Sequence, residues 1–410
     1  MNRNGVNQSR GRLGFITTSF PRFPGDYAGN FVYGMADAFG QTGYDVDVIV
    51  PDAPPVTVSD EPFDSPPPPW LRIHRVKYMC SAYRQTLCFG EGAPENLARS
   101  PLNAVQILPL VHQMWQKTAR LAPKWDGIVS HWLLPSSLIA PRLPEIQLPH
   151  LAIAHSGDIH LLRQLPGKQI LSAALMRRCR MINFVSRQLQ SEFTACLPRH
   201  LRQNPPAKLA VTPMGISPNR CFLSKGDARK KLGLTGFTAL YVGRLSPIKG
   251  VDVLLTALRD CDVQLIVAGA GEMKSQLVQQ SQGLNQRVQF VGTVTEPQRD
   301  LLLKAADVLV VPSIQLKNGR HEGAPTIIAE AMQAGLPVIA TRTGGISEQI
   351  TNLRNGMLIS SANPQSIAHA INIIKENPSI SASIARAALS DAATLKWEIL
   401  IQKFKDMLFK

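Results

Sequence analysis

Phe237-Thr238-Ala239-Leu240-Tyr241-Val242-Gly243-Arg244-Leu245-Ser246-Pro247-Ile248-Lys249-Gly250 joins a short apolar run to a Gly/Pro turn that carries two cations. The run Phe237–Val242 has the length and composition of a buried strand, and the turn residues end it. Gly243 lets backbone approach a ligand closely. Arg244 can grip phosphate oxygens in a fork, and Lys249 adds a point charge. Two cations directly after a strand suit a diphosphate; taken alone, they also fit two surface charges around a turn. The Gly-Lys-Ser/Thr ending of a P-loop is absent.

The same strand-then-helix unit recurs on both sides of this stretch. Val251–Leu258 reads as a helix, and Gln264–Ala268, Val288–Val291, Val308–Val311 and Pro337–Ala340 read as strands. Upstream, Leu13–Ser19, Asp45–Val50, Asp126–Ser130, Leu151–Ala154 and Met181–Val185 are runs of parallel-strand length, with Phe31–Thr42 helical. Repeated βα units predict a doubly wound α/β sheet. The pattern resets around Pro198, Pro205, Pro206 and Pro213. Both series open with a strand running into a Gly/Pro loop, Leu13 to Gly29 and Ala239 to Gly250. The expectation is two similar Rossmann-like domains, 1–208 and 209–390, facing a central cleft. Ligands of such sheets bind at the carboxyl ends of the strands. Val56–Trp70, with four prolines at 66–69, reads as an exposed loop or an extended spacer.

A chain of 410 residues exceeds one typical domain. No apolar run reaches the ~18 residues of a membrane span. Met1–Arg12 lacks the pattern of a signal peptide, so a cytoplasmic protein is expected. The six cysteines form no C-x-x-C pair, and no histidine cluster has zinc spacing; they read as reduced and structural. The formal charge of +15 is uneven: Ile159–Ala210 holds nine basic residues and one acid, Glu192, for a net +8. A basic face can meet nucleic acid, anionic lipid or a phosphorylated substrate. Only Phe184 and Phe193 are aromatic there, which argues against a stacking platform for single strands.

A second stretch, Arg320-His321-Glu322-Gly323-Ala324-Pro325-Thr326-Ile327-Ile328-Ala329-Glu330, reads as a loop tightening into a helix with Pro325 near its start. Helix N-termini suit anions, so carboxylates beside one are free to hold sugar hydroxyls. The same residues also fit a helix start with one exposed glutamate.

Together these residues resemble the retaining nucleotide-sugar glycosyltransferases of family 4, which have the GT-B fold. Gly243-Arg244-Leu245 with Lys249-Gly250 carries the resemblance, followed by Glu322-Gly323, Pro325 and Glu330. It continues through Glu330-Ala331-Met332-Gln333-Ala334-Gly335-Leu336-Pro337, Gly344-Gly345-Ile346-Ser347-Glu348 and Asn355-Gly356. It covers 239–360 strongly. Upstream it rests on His131-Trp132-Leu133-Leu134-Pro135, His155-Ser156-Gly157-Asp158 and Pro213-Met214-Gly215-Ile216.

The resemblance implies that Arg244 and Lys249 neutralise the departing diphosphate. Glu322 with Gly323, Ala324, Pro325 and Thr326 would hold donor hydroxyls, and Glu330 the ribose. His155, with Asp158 beside it, would lie near the donor sugar, contributed by the N-terminal domain. Gly243, Gly29 and Gly269 complete the donor-binding set. The family's Gly-Gly pair in the first loop is Ala28-Gly29 here, and Ser156 stands where the family commonly has Gly.

Three further features complete the reading. Asp45-Val46-Asp47 matches the Asp-x-Asp of metal-dependent sugar transferases, but it lies in alternating strand sequence whose two aspartates should share one exposed face. With Arg244 and Lys249 present, no metal and no cofactor beyond the nucleotide-sugar co-substrate are expected. Gly269-Ala270-Gly271 lacks the third glycine of a dinucleotide fingerprint, Lys274 standing in its place, and reads as a close-packed strand-to-helix turn. Asp391–Lys410 is spaced as an amphipathic helix, which the resemblance places back on the N-terminal domain.

The expected activity is retaining hexosyl transfer from a nucleoside-diphosphate sugar to a glycan or polyprenyl-diphosphate-linked glycan, in surface polysaccharide assembly. The basic segment would dock on the anionic inner leaflet. A nucleotide-sugar epimerase or hydrolase, or a non-catalytic nucleotide-sugar-binding subunit, would share the donor site.

Overall fold

The computed structural model describes residues 10–23, 26, 28–54, 67–90, 92–140, 147–284 and 287–410. Residues 55–66 of the proline-rich stretch lie outside the described residues, as do residues 1–9. The chain divides into two compact units. Unit 1 comprises 1–213 and 397–410, and unit 2 comprises 214–396.

Among the described residues unit 1 is built on seven parallel strands: β1 (Gly11–Ile16), β2 (Tyr44–Pro51), β3 (Leu71–Val76), β4 (Gly127–His131), β5 (His150–Ala154), β6 (Met181–Phe184) and β7 (Leu209–Val211). Their order is β3-β2-β1-β4-β5-β6-β7. β4 and β5 are buried along their whole length, because helices cover both faces of a parallel sheet. Right-handed crossovers put Asn30–Gln41 on one face. Ile107–Leu121, Lys168–Arg178 and Arg187–Ala195 lie on the other.

Unit 2 has, among its described residues, six parallel strands: β8 (Thr238–Val242), β9 (Gln264–Ala268), β10 (Val288–Gly292), β11 (Val308–Val311), β12 (Val338–Thr341) and β13 (Met357–Ile359). Their order is β10-β9-β8-β11-β12-β13. Alternate residues feed two cores. Ala239, Tyr241, Leu265, Val267 and Val310 enter one, and Leu240, Ile266 and Leu309 enter the other. Both sheets are doubly wound, and both reverse direction beside their first strand, between β1 and β4 and between β8 and β11. Loops leaving a reversal point part there and open a crevice at the carboxyl edge.

Two boundaries and one surface assignment differ from the sequence reading. Unit 1 extends past 208, since Leu209–Val211 pairs with β6 as the last strand of its sheet. Residues 391–396 stay with unit 2. Pro378–Ala392 is a separate helix, Ile216 N–H donates to the Leu395 carbonyl, and the terminal helix starts at Trp397. Lys396 is extended, which separates that helix from the preceding turn. Asp47 is not exposed: only 2% of it meets solvent. Its carboxylate accepts from Trp125 Nε1 at 2.9 Å and meets His74 Nε2 at 3.0 Å, while Asp45 pairs with Arg12 at 3.3 Å. Burial raises the Asp47 pKa, but His74, Trp125 and Arg12 outweigh it and hold the carboxyl below the usual range. The Asp-x-Asp pair is thus tied into the sheet by its own partners. No helix among the described residues is long and apolar enough to cross a membrane.

Candidate active site

In unit 2 the loops leaving β8, β9, β11 and β12 are laced together at the reversal point. The β8 loop is zipped to the β9 loop by three backbone hydrogen bonds. Gly243 N–H donates to the Ala268 carbonyl at 3.0 Å, Leu245 N–H to Ala270 at 2.8 Å, and Met273 N–H to Leu245 at 3.0 Å. This zipper explains the glycines. A Cβ on Gly269, whose φ is +142°, would stand 1.8 Å from the Gly243 carbonyl oxygen, and one on Gly271 2.4 Å from that of Leu245. Gly269 therefore sets the shape of the cation loop by packing.

Gly250 opens the helix Val251–Ala257 with φ +63°, and any Cβ there would meet the Pro312 carbonyl oxygen at 2.1 Å. Ile314 N–H donates to the Ile248 carbonyl at 2.9 Å. The β8 and β11 loops are therefore in contact, and the two charged motifs meet. Lys249 Nζ lies 2.9 Å from Glu322 Oε1, with side chains 16% and 14% exposed. Burial raises the Glu322 pKa, but Lys249 at short range, then Arg244 and Arg320, more than offset it and keep the carboxylate below its ordinary range. Three cations thus surround one anion. From the other side, Gly345 N–H donates to the Glu322 carbonyl at 3.3 Å, and His321, 3% exposed, hydrogen-bonds the same oxygen through Nδ1 at 2.9 Å. Gly344 has φ +52° and leaves room only for that carbonyl.

Gly323, Ala324 and Pro325 lead from Glu322 into the helix Thr326–Gln333, with Pro325 as the residue before its first turn. No side chain caps this N-terminus, so its backbone donors face outward from the helix end. Glu330 lies one turn further on. Its Oε2 is 3.1 Å from Arg299 Nε, and Arg299 also reaches Asp300 at 3.2 Å. Burial lowers the Arg299 pKa, while Glu330, Asp300 and Glu296 raise it by more. Sequence reasoning missed Arg299, Arg320 and His321. Arg299 lies 31 positions before its partner, and nothing in the local pattern of Glu296–Ala305 marks it.

Unit 1 carries a second cluster at its own reversal point, beyond β4 and β5. His155 precedes the helix Ser156–Gln164 and is 8% exposed. It stacks on His131 with ring centroids 5.5 Å apart, and lies 4.8 Å from the Phe31 ring and 4.9 Å from that of Trp132. His131 Nδ1 meets His155 Nε2 at 3.3 Å. Burial drives both imidazoles to low pKa, His155 to about 3, so His155 is neutral near pH 7. Asp158, assigned to the donor set from sequence, directs its carboxylate at backbone. It accepts from Leu133 N–H at 2.6 Å and from His155 and Ile159 N–H at 3.0 Å each. Its place is to hold the His131–Leu133 loop and His155 in register. Trp132 adopts φ +63°, a strained conformation for a bulky residue that persists only where its surroundings impose it. In the first loop, Gly29 has φ +76°, and a Cβ on it would strike the Ser19 carbonyl oxygen at 2.5 Å. Ala28 N–H binds Asp26 at 3.1 Å, so only the second position of the pair requires glycine.

With this geometry in place, comparison with known proteins is decisive for unit 2. Residues 224–394 match the family model for glycosyl transferases group 1. They belong to that family. The group 1 domain thus takes in the cation loop, Glu322, Glu330 and Arg299. An uncharacterized glycosyltransferase of Methanocaldococcus jannaschii is 30% identical over 270 residues, 61% of this chain and 66% of that protein. The amylovoran biosynthesis glycosyltransferase AmsK of Erwinia amylovora is 28% identical over 273 residues, 58% of this chain and 64% of its own. The chain therefore spans slightly less than two thirds of either relative.

Among solved structures, sucrose-phosphate synthase from Thermosynechococcus elongatus superposes with a TM-score of 0.74 at 20% identity, over 97% of this chain and 98% of that one. HepE of Anabaena, in complex with UDP and glucose, gives 0.70 at 20% identity, over 97% and 99%. These likenesses show the fold, GT-B, with a group 1 domain as its second Rossmann-like unit.

Proposed function

We propose that this chain is a metal-independent retaining glycosyltransferase. It would move a sugar from a nucleoside-diphosphate sugar to a glycan or polyprenyl-diphosphate-linked glycan in surface polysaccharide assembly. The observation that carries the reading is the convergence of Lys249, Arg244 and Glu322 at the reversal point of the group 1 domain. When the bond from sugar to phosphate breaks, negative charge grows on the leaving diphosphate, and fixed cations stabilise it. Before donor binds, Glu322 keeps the Lys249 ammonium in place. A bound diphosphate would share that ammonium, freeing Glu322 for donor hydroxyls. The complexes of HepE with UDP and with UDP-glucose support a nucleotide-sugar donor, and the amylovoran role of AmsK supports the pathway. The basic segment Ile159–Ala210 in unit 1 would attract the anionic leaflet that carries such an acceptor.

A thermal-shift screen against uridine, guanosine and adenosine diphosphate sugars tests the donor. A true donor at 100 times its Kd stabilises the native state by ~2.7 kcal/mol. No shift with any of the three would sink the reading. Product formation from donor alone, without acceptor, would mark an epimerase or hydrolase instead.

If Glu330 binds the ribose, Arg299 is its positioning residue. Arg299→Met is expected to raise KM for the donor about tenfold, near the worth of one charge-assisted hydrogen bond, with kcat little changed. Arg299→Lys should restore most of it. Steady-state kinetics at varied donor would decide, and an equal fall in kcat would contradict a purely ground-state contact.

A further inference from the structure

In unit 1 the segment Pro101–Gln106 and the helix Ile107–Leu121 turn an apolar stripe outward. Leu102 is 79% exposed, Val105 67%, Leu108 79% and Trp115 47%. Spacings of three, three and seven put these side chains along one side of a continuous helical path. The opposite side, Leu110, Met114 and Thr118, is buried against the sheet. The outward side is therefore apolar at the helix start and again at Trp115, with the exposed His112, Gln113 and Gln116 between and beside them. Scattered exposed leucines are ordinary; a row of them with a tryptophan marks an interaction surface.

The platform beneath the stripe is fixed. Gln106 Oε1 accepts from the backbone N–H groups of Thr86 and Leu87 at 3.2 Å each, and its Nε2 donates to Asn103 at 3.0 Å. Asn96 Nδ2 donates to the carbonyls of Thr86, Leu87 and Phe89. This network staples the 82–89 loop, with Tyr83 74% exposed, to the base of the stripe.

Charge identifies the occupant. Asn96–Trp125 contains Arg99, Lys117, Arg120 and Lys124 and no acidic residue. The helix Lys168–Arg178 covers the same face of the sheet and adds Lys168 and Arg177, beside Ile170 at 72% exposure. An exposed apolar row with tryptophan, with cations in excess around it and acids only at the segment's edges (Glu91, Glu95 and Asp126) and at Glu192, matches the boundary between acyl chains and anionic headgroups.

We propose that residues 101–116 form the membrane-inserting edge of unit 1, lying in the interface of an anionic bilayer. This deepens the membrane reading above by adding an apolar anchor to the basic attraction, but it does not depend on glycosyl transfer.

The test is flotation of the full chain with vesicles of phosphatidylcholine alone or with 30% phosphatidylglycerol (roughly the anionic content that attracts polybasic segments). Leu108→Ser/Trp115→Ser is expected to lose most vesicle binding, with only a small drop in unfolding midpoint, since Leu108 is 79% and Trp115 47% exposed. Lys168→Ala/Arg177→Ala should weaken binding at low salt only. Retained flotation of the Leu108/Trp115 variant overturns the proposal, even if the basic variant fails to bind. A wild-type dimer in light scattering that the Leu108/Trp115 variant converts to monomer, with no flotation of either, also overturns it and assigns the face to a second copy.

Discussion

Lys249→Ala is expected to lower transfer by ~10²–10³-fold, the scale seen when one fixed donor to a developing anion is removed. The same substitution should also lower the unfolding midpoint. Glu322 is largely buried and answers Lys249 at 2.9 Å. Removing one partner of a buried pair costs ~3–5 kcal/mol, because the other charge stays desolvated. Arg244 and Arg320 also act on Glu322, so the loss should fall toward the lower end of that range. Two readouts separate catalysis from folding. The double variant Lys249→Met/Glu322→Gln removes both charges and should recover the midpoint while turnover stays low. Near-normal turnover in Lys249→Ala would remove the diphosphate from this site.

Acid should destabilise unit 1 well before its ordinary carboxylates titrate. His131, His150 and His155 are buried on or just beyond β4 and β5. Burial lowers all three pKa values, those of His150 and His155 to about 3. Below pH 6.5 the unfolded chain binds three protons that the folded chain refuses, so stability falls as pH falls. Asp158 acts in the opposite sense. Burial raises its pKa to about 7 against its backbone donors, so below pH 7 the folded state holds a proton that the unfolded chain takes up only near pH 4. Three protons less one leaves two, a slope of ~2–3 kcal/mol per pH unit between roughly pH 6.5 and 5. Urea unfolding at pH 7, 6 and 5 measures it. His150→Gln should flatten the slope by about one proton, and a flat wild-type profile would contradict the burial of these rings.

The strands were legible because each is a short apolar run, and a parallel sheet covered on both faces asks for nothing more. The two cation and carboxylate motifs were legible as motifs, but their contact was not. Lys249 and Glu322 are 73 positions apart and meet only because β8 and β11 are neighbours in the sheet. Asp47 misled for the same reason. Alternation in β2 gave it an exposed face, whereas His74 and Trp125, 27 and 78 positions away, close over it. Leu395 fits the apolar spacing of the terminal helix, yet its carbonyl is bonded to Ile216 in the other unit's fold. In each case the local pattern was sound and a distant partner changed what it meant. Arg299 had no pattern at all, since a buried guanidinium looks in sequence like any surface arginine.

Unit 1 is made from two separated pieces of chain, and unit 2 from one. The group 1 domain is complete within residues 214–396, whereas unit 1 needs the helix that follows them to close. That helix seats Trp397 against the bare backbone of Gly34, where a Cβ would come within 2.5 Å of the indole nitrogen. The second half of the polypeptide therefore holds all its elements in one stretch and can close before the first half recruits its last helix, reversing the usual amino-to-carboxyl order. The released chain truncated after residue 396 should carry a protease-resistant group 1 domain beside an open-sided first unit.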